Sequence, residues 1–289
     1  SRVSGLQGFT PLLQAEKDSN SDKKVIYPIL GQRQHLLNSR FAEILQQVAQ
    51  RLIAENPEAI AFIVDMVEKL SNHISQFPLG NRANNIEIAI IGYQIVLSNR
   101  EPRSETWAQT QNNLANAYLY RINGSRADNL EQAIGFFQAA LTVLTFEDFP
   151  EQWATTQNNL AVAYKNRING SEADNLERAI GFFQAAITVH TLDDFPEDWA
   201  MTQNNLANAY SDRIKGSEAD NLERAIAFYQ AALTVRTLED FPEKWADTQN
   251  NLAIAYSNRI NGLRAENLEL ATRETLLNAI QESFPNQSK

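Results

Sequence analysis

The chain contains no cysteine among its 289 residues, and its only histidines are His35, His73 and His190. Without cysteine, neither a disulfide framework nor a thiolate metal site can form, and no histidine has a second ligand at metal-binding spacing. No apolar run reaches the length of a transmembrane span, and no signal peptide is recognisable. We therefore expect a cytoplasmic protein that holds no metal and no other cofactor.

Basic residues are also few. The chain carries 25 Lys and Arg against 35 Asp and Glu, which gives a formal net charge of -10. Nucleic acids and anionic membranes both select clustered positive charge, so neither is expected as a partner. The sequence also shows no nucleophile–base pair, phosphate-binding loop or metal cluster, and we therefore predict that the protein is not an enzyme.

What the chain does contain is a repeat. Tryptophan recurs every 46 residues, at Trp107, Trp153, Trp199 and Trp245, within the text W-A-x-T-Q-N-N-L-A-x-A-Y. A fixed period of this size is typical of solenoids, in which each unit packs on its neighbours and the stack forms one core. The period therefore predicts binding rather than catalysis.

Each repeat is predicted to form a helix hairpin. Pro150 suits the first turn of a helix, and apolar residues then recur at helical spacing as far as Tyr164. Gly170 follows as a helix terminator, and Asp174 with Glu177 reads as a capping box for the second helix. The fold class is therefore all-α.

Three regions are predicted along the chain. Residues 1–34 should be extended or partly disordered, because Pro28 makes the apolar stretch Val25–Leu30 a poor strand. Residues 35–99 should form an N-terminal helical cap that includes a divergent repeat. Residues 100–289 should form an array of four 46-residue units, of which the last is a degenerate cap.

The repeat text resembles that of a known family. Three residues on the first helix and three on the second resemble the tetratricopeptide repeat (TPR) signature, at Leu114, Ala115, Tyr118, Ala133, Phe137 and Ala140. The text N-N-L-A-x-A-Y is similar to the kinesin light chain type, and the long units resemble arrays in bacterial, particularly cyanobacterial, multidomain proteins that carry a CHAT-type protease domain or an NTPase. The resemblance implies a right-handed superhelix with a concave ligand-binding face.

The differences between repeats indicate where a ligand would bind. The repeats at Trp153 and Trp199 are identical at 35 of 46 positions. The pairs Thr155/Met201, Val162/Asn208, Lys165/Ser211 and Asn166/Asp212 differ on one face of the first helix. A constant asparagine pair flanks that face. By resemblance, kinesin light chain repeats use such asparagines to hold a peptide backbone.

An amide side chain can donate to and accept from an extended peptide. The predicted binding residues are Asn112, Asn113, Asn116, Asn158, Asn159, Val162, Lys165, Met201, Asn204, Asn205, Asn208, Asn250 and Asn251. We expect the first asparagine of each pair, as in Asn158 and Asn204, to face the groove. The alternative is that the amides bond to one another and tie neighbouring repeats together.

Two functions remain open on these grounds. The array either binds an extended, neutral or mildly basic segment of a protein or peptide partner, or it docks an effector domain of the same polypeptide.

Overall fold

The computed structural model describes residues 12, 14–16, 18–259 and 264–283 of the chain. Within these residues it contains helices and turns but no strand, which confirms the all-α prediction. The chain divides into two compact units, Ser1–Thr145 and Phe146–Lys289. The boundary lies in the linker after the first complete hairpin of the array.

From Lys23 on, the first unit contains six consecutive α-helices. These are α1 (Lys23–Gln32), α2 (Ser39–Glu55), α3 (Ile60–Gln76), α4 (Arg82–Leu97), α5 (Glu105–Leu119) and α6 (Arg126–Leu141), with short 3₁₀ turns at Gln34–Leu36 and Pro57–Ala59. Helices α3 and α4 form the predicted divergent repeat, and α5 and α6 form a complete one.

Helix α1 corrects the prediction of an extended segment at Val25–Leu30. Asp22 caps the helix by accepting from the Lys24 N–H at 2.9 Å, and Pro28 costs only one backbone hydrogen bond. Ile26 and Leu30 lie four residues apart and are both fully buried, so their burial outweighs the cost of the proline. Residues 12, 14–16 and 18 of the same predicted segment are helical as well, and residues 1–11, 13 and 17 lie outside the described residues.

The second unit repeats one hairpin design. Its helices are α7 (Pro150–Lys165), α8 (Glu172–Ala186), α9 (Pro196–Ser211), α10 (Glu218–Leu233), α11 (Pro242–Asn258) and α12 (Arg264–Ser283). The first helices α7, α9 and α11 each begin at a proline, whose missing N–H costs nothing in the first turn. Each packs against the second helix that follows it.

The second helices begin differently from the prediction. Ser171 caps α8 by accepting from the Asp174 N–H at 3.3 Å, so the predicted cap at Asp174 lies three residues too late. Gly170 has a φ of +84°, a left-handed conformation that favours glycine in the preceding turn. Asn175, which is buried, donates to the Asn169 carbonyl at 2.9 Å and holds this turn against the helix.

The core of each hairpin combines large and small side chains. In the repeat at Trp153, Leu160 and Phe183 are almost completely buried, and so are the alanines beside them. Tyr164 is 4% exposed and lies on the predicted core stripe. Trp153 is half-buried and packs edge-on against Phe146, with ring centroids 5.3 Å apart.

Candidate binding surface

The first asparagine of the pair lies between successive first helices in the second unit. Asn158 on α7 is 2% exposed, and its Oδ1 accepts from Thr202 Oγ1 at 3.4 Å and from Asn205 Nδ2 at 3.2 Å, both on α9. Asn204 on α9 likewise accepts from Thr248 Oγ1 on α11 at 3.2 Å. We call this line of contact the seam, and Asn158 and Asn204 its acceptors.

These contacts correct the prediction that Asn158 and Asn204 face the groove. A helical wheel gives the direction of a side chain around its own helix, but not the position of the next helix. Here the next first helix approaches the face that carries Asn158, and its threonine supplies a donor for the amide oxygen. The arrangement agrees with the alternative interpretation, in which amides tie repeats together.

The first unit has a charged acceptor in its seam. Glu68 on α3 accepts from Thr110 Oγ1 at 2.7 Å and from Asn113 Nδ2 at 3.5 Å, as Asn158 accepts from the equivalent side chains. Arg100 lies 2.6 Å from the other Glu68 oxygen and neutralises it. The sequence analysis missed Glu68 because the divergent repeat has no asparagine pair, although Thr110 belongs to the repeated text.

Five other predicted residues have less defined roles. Asn112, Val162 and Met201 are half-buried, Asn159 accepts from Asn158 at 3.5 Å, and Asn250 is exposed on α11. Their part in ligand binding stays a prediction.

A cleft of about 230 Å³ in the second unit brings together three of the predicted residues. Lys165, Asn208 and Asn251 come from the three first helices α7, α9 and α11. Tyr229 on α10 lies beside them, and its hydroxyl donates to Asn208 Oδ1 at 2.6 Å. Asn251 Nδ2 lies 3.5 Å from the same oxygen.

The cleft in the second unit is polar but contains no unbalanced charge. Lys165 Nζ lies 2.7 Å from an Asp212 carboxylate oxygen, so the two charges on its lining compensate each other. Burial raises the pKa of Tyr229 to about 12, which keeps its hydroxyl protonated as a donor. Leu222 and Ile254 supply apolar surface, and Ile254 is 59% exposed.

An equivalent cleft lies in the first unit, with a volume of about 560 Å³. Tyr93 on α4 donates from its hydroxyl to Asn72 Oδ1 at 2.7 Å, which repeats the contact of Tyr229 with Asn208. Asn113 and Asn116 line it from α5, as predicted, and Ile86 supplies apolar surface. The sequence analysis missed Asn72 and Tyr93, whose only signal is their separation of 21 residues, the same as between Asn208 and Tyr229.

The described ranges also lack two other features, a metal-binding cluster and a membrane-spanning helix. No group of three or more His, Cys, Asp or Glu side chains could hold a metal ion there. In the same part of the chain, no helix is long and apolar enough to cross a membrane.

Comparisons with known proteins agree with this architecture. Residues 153–187 and 199–242 match the family model of the tetratricopeptide repeat. BtubC (BKLC) from P. vanneervenii is similar in structure, with a TM-score of 0.60 and 20% identity over 86% of this chain and 91% of that chain. No curated protein sequence matches the chain significantly.

A second solved structure holds nearly identical TPR-like repeats of a kinesin light chain candidate from Podosopora anserina. It has a TM-score of 0.53 and 17% identity over 78% of this chain and 97% of that chain. The chain therefore has the fold of TPR-like α-solenoid proteins, and two of its segments match the model of the repeat itself. Tetratricopeptide repeats generally mediate contacts between proteins.

Proposed function

We propose that the chain binds an extended, neutral or mildly basic segment of a protein partner, and that the two clefts are its contact sites. The observation that carries the proposal is the composition of the clefts. Amide side chains from successive first helices meet there beside aliphatic side chains, and the charges that line the second unit's cleft are paired.

This composition suits an extended backbone. Each peptide residue other than proline offers one N–H and one carbonyl, and an asparagine amide can satisfy both kinds of group. Leu222 and Ile254 would contact the apolar parts of ligand side chains. Because the paired Lys165 and Asp212 favour neither sign of charge locally, affinity should depend only modestly on salt.

The rest of the molecule favours one sign of charge at long range. The net charge of -10 creates a negative potential that attracts basic segments and repels acidic ones at low ionic strength. Acidic partner segments are therefore expected to bind least well.

A peptide array of random 12-residue segments tests the proposal. We expect the full chain to retain neutral and mildly basic peptides with apolar residues, and Ile254→Arg to lose them because it places a charge in the cleft. Ile214→Arg is the matched control, since Ile214 is 58% exposed but does not line the cleft. An array that returned mainly acidic peptides or C-terminal carboxylate motifs would refute the proposal.

A further inference from the structure

The second unit contains a buried cation, Arg236, that neither cleft uses. It lies seven residues after Tyr229, as Arg100 lies seven residues after Tyr93, so the two arginines occupy equivalent positions in their repeats. Arg236 is 8% exposed. Its guanidinium donates to Thr248 Oγ1 on the next first helix at 3.0 Å, and Arg100 makes the same kind of contact with a threonine in the first unit.

The surroundings of the two arginines differ in one group. Arg100 lies 2.6 Å from a carboxylate oxygen of Glu68, whereas the seam acceptor beside Arg236 is the neutral Asn204. Within the part of the chain that the structure describes, no ion pair joins Arg236 to a carboxylate. Burial lowers the pKa of Arg236, and the exposed Asp247 opposes this only in part. The guanidinium therefore lacks the close counter-charge that its equivalent has.

A buried cation without a counter-ion is unfavourable, because the loss of its hydration is not compensated. Arginine keeps its proton even so, since its ordinary pKa lies far above neutrality. A guanidinium has five N–H donors in one plane, and the contact with Thr248 uses one of them. The free donors and the positive charge together suit a small anion. The first unit shows where that anion would lie, because Glu68 supplies a carboxylate at the equivalent point.

We propose that the second unit binds one small monovalent anion, such as formate or chloride, beside Arg236 and Asn204, where the first unit has the Glu68 carboxylate. Both side chains contact the same Thr248 hydroxyl, Arg236 at 3.0 Å and Asn204 at 3.2 Å. Because the Asn204 oxygen accepts that contact, its N–H₂ group is the part of the amide that can donate to the anion. The lining of neither cleft includes these two residues, so the inference does not depend on the proposed function.

The enclosure of the site favours a free ion over a side chain of a protein partner. Asn204 is 9% exposed and Arg236 is 8% exposed, so only a small group reaches them. The other two equivalent positions hold no cation at neutral pH. Leu144 is apolar, and burial lowers the pKa of His190 from its ordinary value. We therefore expect one anion for each chain.

Thermal unfolding in sodium formate tests the inference. The full chain is melted while formate replaces gluconate at constant ionic strength, since gluconate is too large for an enclosed site. We expect the melting temperature to rise with formate and then to saturate, because a ligand that binds only the folded state stabilises it. Chloride should act in the same way. Arg236→Leu, which copies Leu144, should remove the rise.

A second variant supplies the missing charge from within the chain. Asn204→Glu gives the second unit the carboxylate that the first unit has in Glu68. In gluconate it should raise the melting temperature, and formate should then have no further effect because the site is already filled. The same change combined with Arg236→Leu should lower the melting temperature, because the new carboxylate is then buried without a cation.

Three results would overturn the inference. The first is a formate and chloride response in the unmodified chain no larger than that of Arg236→Leu. The second is a response that persists unchanged in Asn204→Glu, which would place the anion elsewhere. The third is a chain that ignores both ions but is stabilised, through Arg236, by a peptide with an acidic side chain; the carboxylate would then come from a protein partner.

Discussion

The two units join their repeats through the same seam with different chemistry. In the first unit the acceptor is Glu68, whose charge is balanced by Arg100 at 2.6 Å. In the second unit the acceptors are the neutral Asn158 and Asn204. Both kinds of acceptor receive a hydrogen bond from a threonine of the next first helix.

The difference shows that the repeat requires an acceptor in the seam but not a particular charge. A carboxylate is tolerated there only with a cation beside it, because an unpaired charge in a buried site is costly. Arg100 lies seven residues after Tyr93. The equivalent residues in the next three repeats are Leu144, His190 and Arg236. The residue at this position can therefore change along the chain as long as it suits the acceptor.

The largest effect is expected from breaking the charged seam. Arg100→Ala should destabilise the first unit by about 3–5 kcal/mol, because Glu68, whose side chain is 11% exposed in the intact pair, would lose its cation. Urea unfolding followed by circular dichroism measures the loss. The matched variant combines Glu68→Asn with Arg100→Leu, which gives the first unit the acceptor of the second.

The double variant should be as stable as the unmodified chain or more stable, since neutral replacements of a buried ion pair often are. If it unfolds as easily as Arg100→Ala, the seam of the first unit depends on charge and the two seams are not equivalent.

A smaller effect is expected from the neutral seam. Asn158→Ala removes the acceptor of Thr202 and of Asn205, and should cost about 1–3 kcal/mol of unfolding free energy. Asn250→Ala, at the equivalent but exposed position on α11, should cost less than Asn158→Ala, because water can replace the contacts of an exposed side chain. Peptide affinity measured well below the melting point should be unchanged in Asn158→Ala; a loss of affinity with full stability would return Asn158 to the groove.

The sequence predicts the hairpins well because their signals are local and recur in each unit. Each signal determines structure only a few residues away from itself. Pro150 marks the start of a helix, Gly170 marks the turn after it, and the apolar stripe that ends at Tyr164 marks its buried face. Two errors have local causes as well. Ser171 rather than Asp174 provides the cap, and two buried residues of α1 outweigh Pro28.

The candidate site was predicted less completely because it depends on neighbouring helices. Lys165 and Asn208 were predicted from the variable face and Asn251 from the constant asparagine pair, and all three line a cleft. Asn158 was predicted to face the groove because the sequence of its own helix does not show which residue of the next helix will contact it. That residue is Thr202, which lies 44 positions later in the chain and donates to the Asn158 amide oxygen. Asn72 and Tyr93 lie in a repeat whose text has diverged, so no comparison of repeats selected them.

The smallest effect concerns pH and His190, one of the two residues that occupy the position of Arg100 in the second unit. His190 is fully buried, and burial lowers its pKa, an effect that Asp198 and Glu151 only partly oppose. Arg100 pairs with the Glu68 carboxylate of its own repeat, whereas the seam acceptor in the repeat that contains His190 is the neutral Asn158.

The sign of the pH effect follows from this lowered pKa. In the unfolded chain His190 binds a proton near its ordinary pKa of about 6.5, whereas in the folded chain it stays neutral to lower pH. The contribution of neutral His190 to folding stability is therefore fully present above about pH 6.5 and is lost as the pH falls toward the folded pKa. The loss is about 1.4 kcal/mol for each pH unit between the unfolded and the folded pKa.

His190→Leu copies Leu144, which is 1% exposed at the same position, and should remove this part of the pH dependence. Melting temperatures of both proteins, measured from pH 7.5 down to pH 5, should diverge as the solution is acidified, with the unmodified chain losing more. Parallel curves would contradict the prediction, because they would show that the proton affinity of His190 is the same in the folded and unfolded chain.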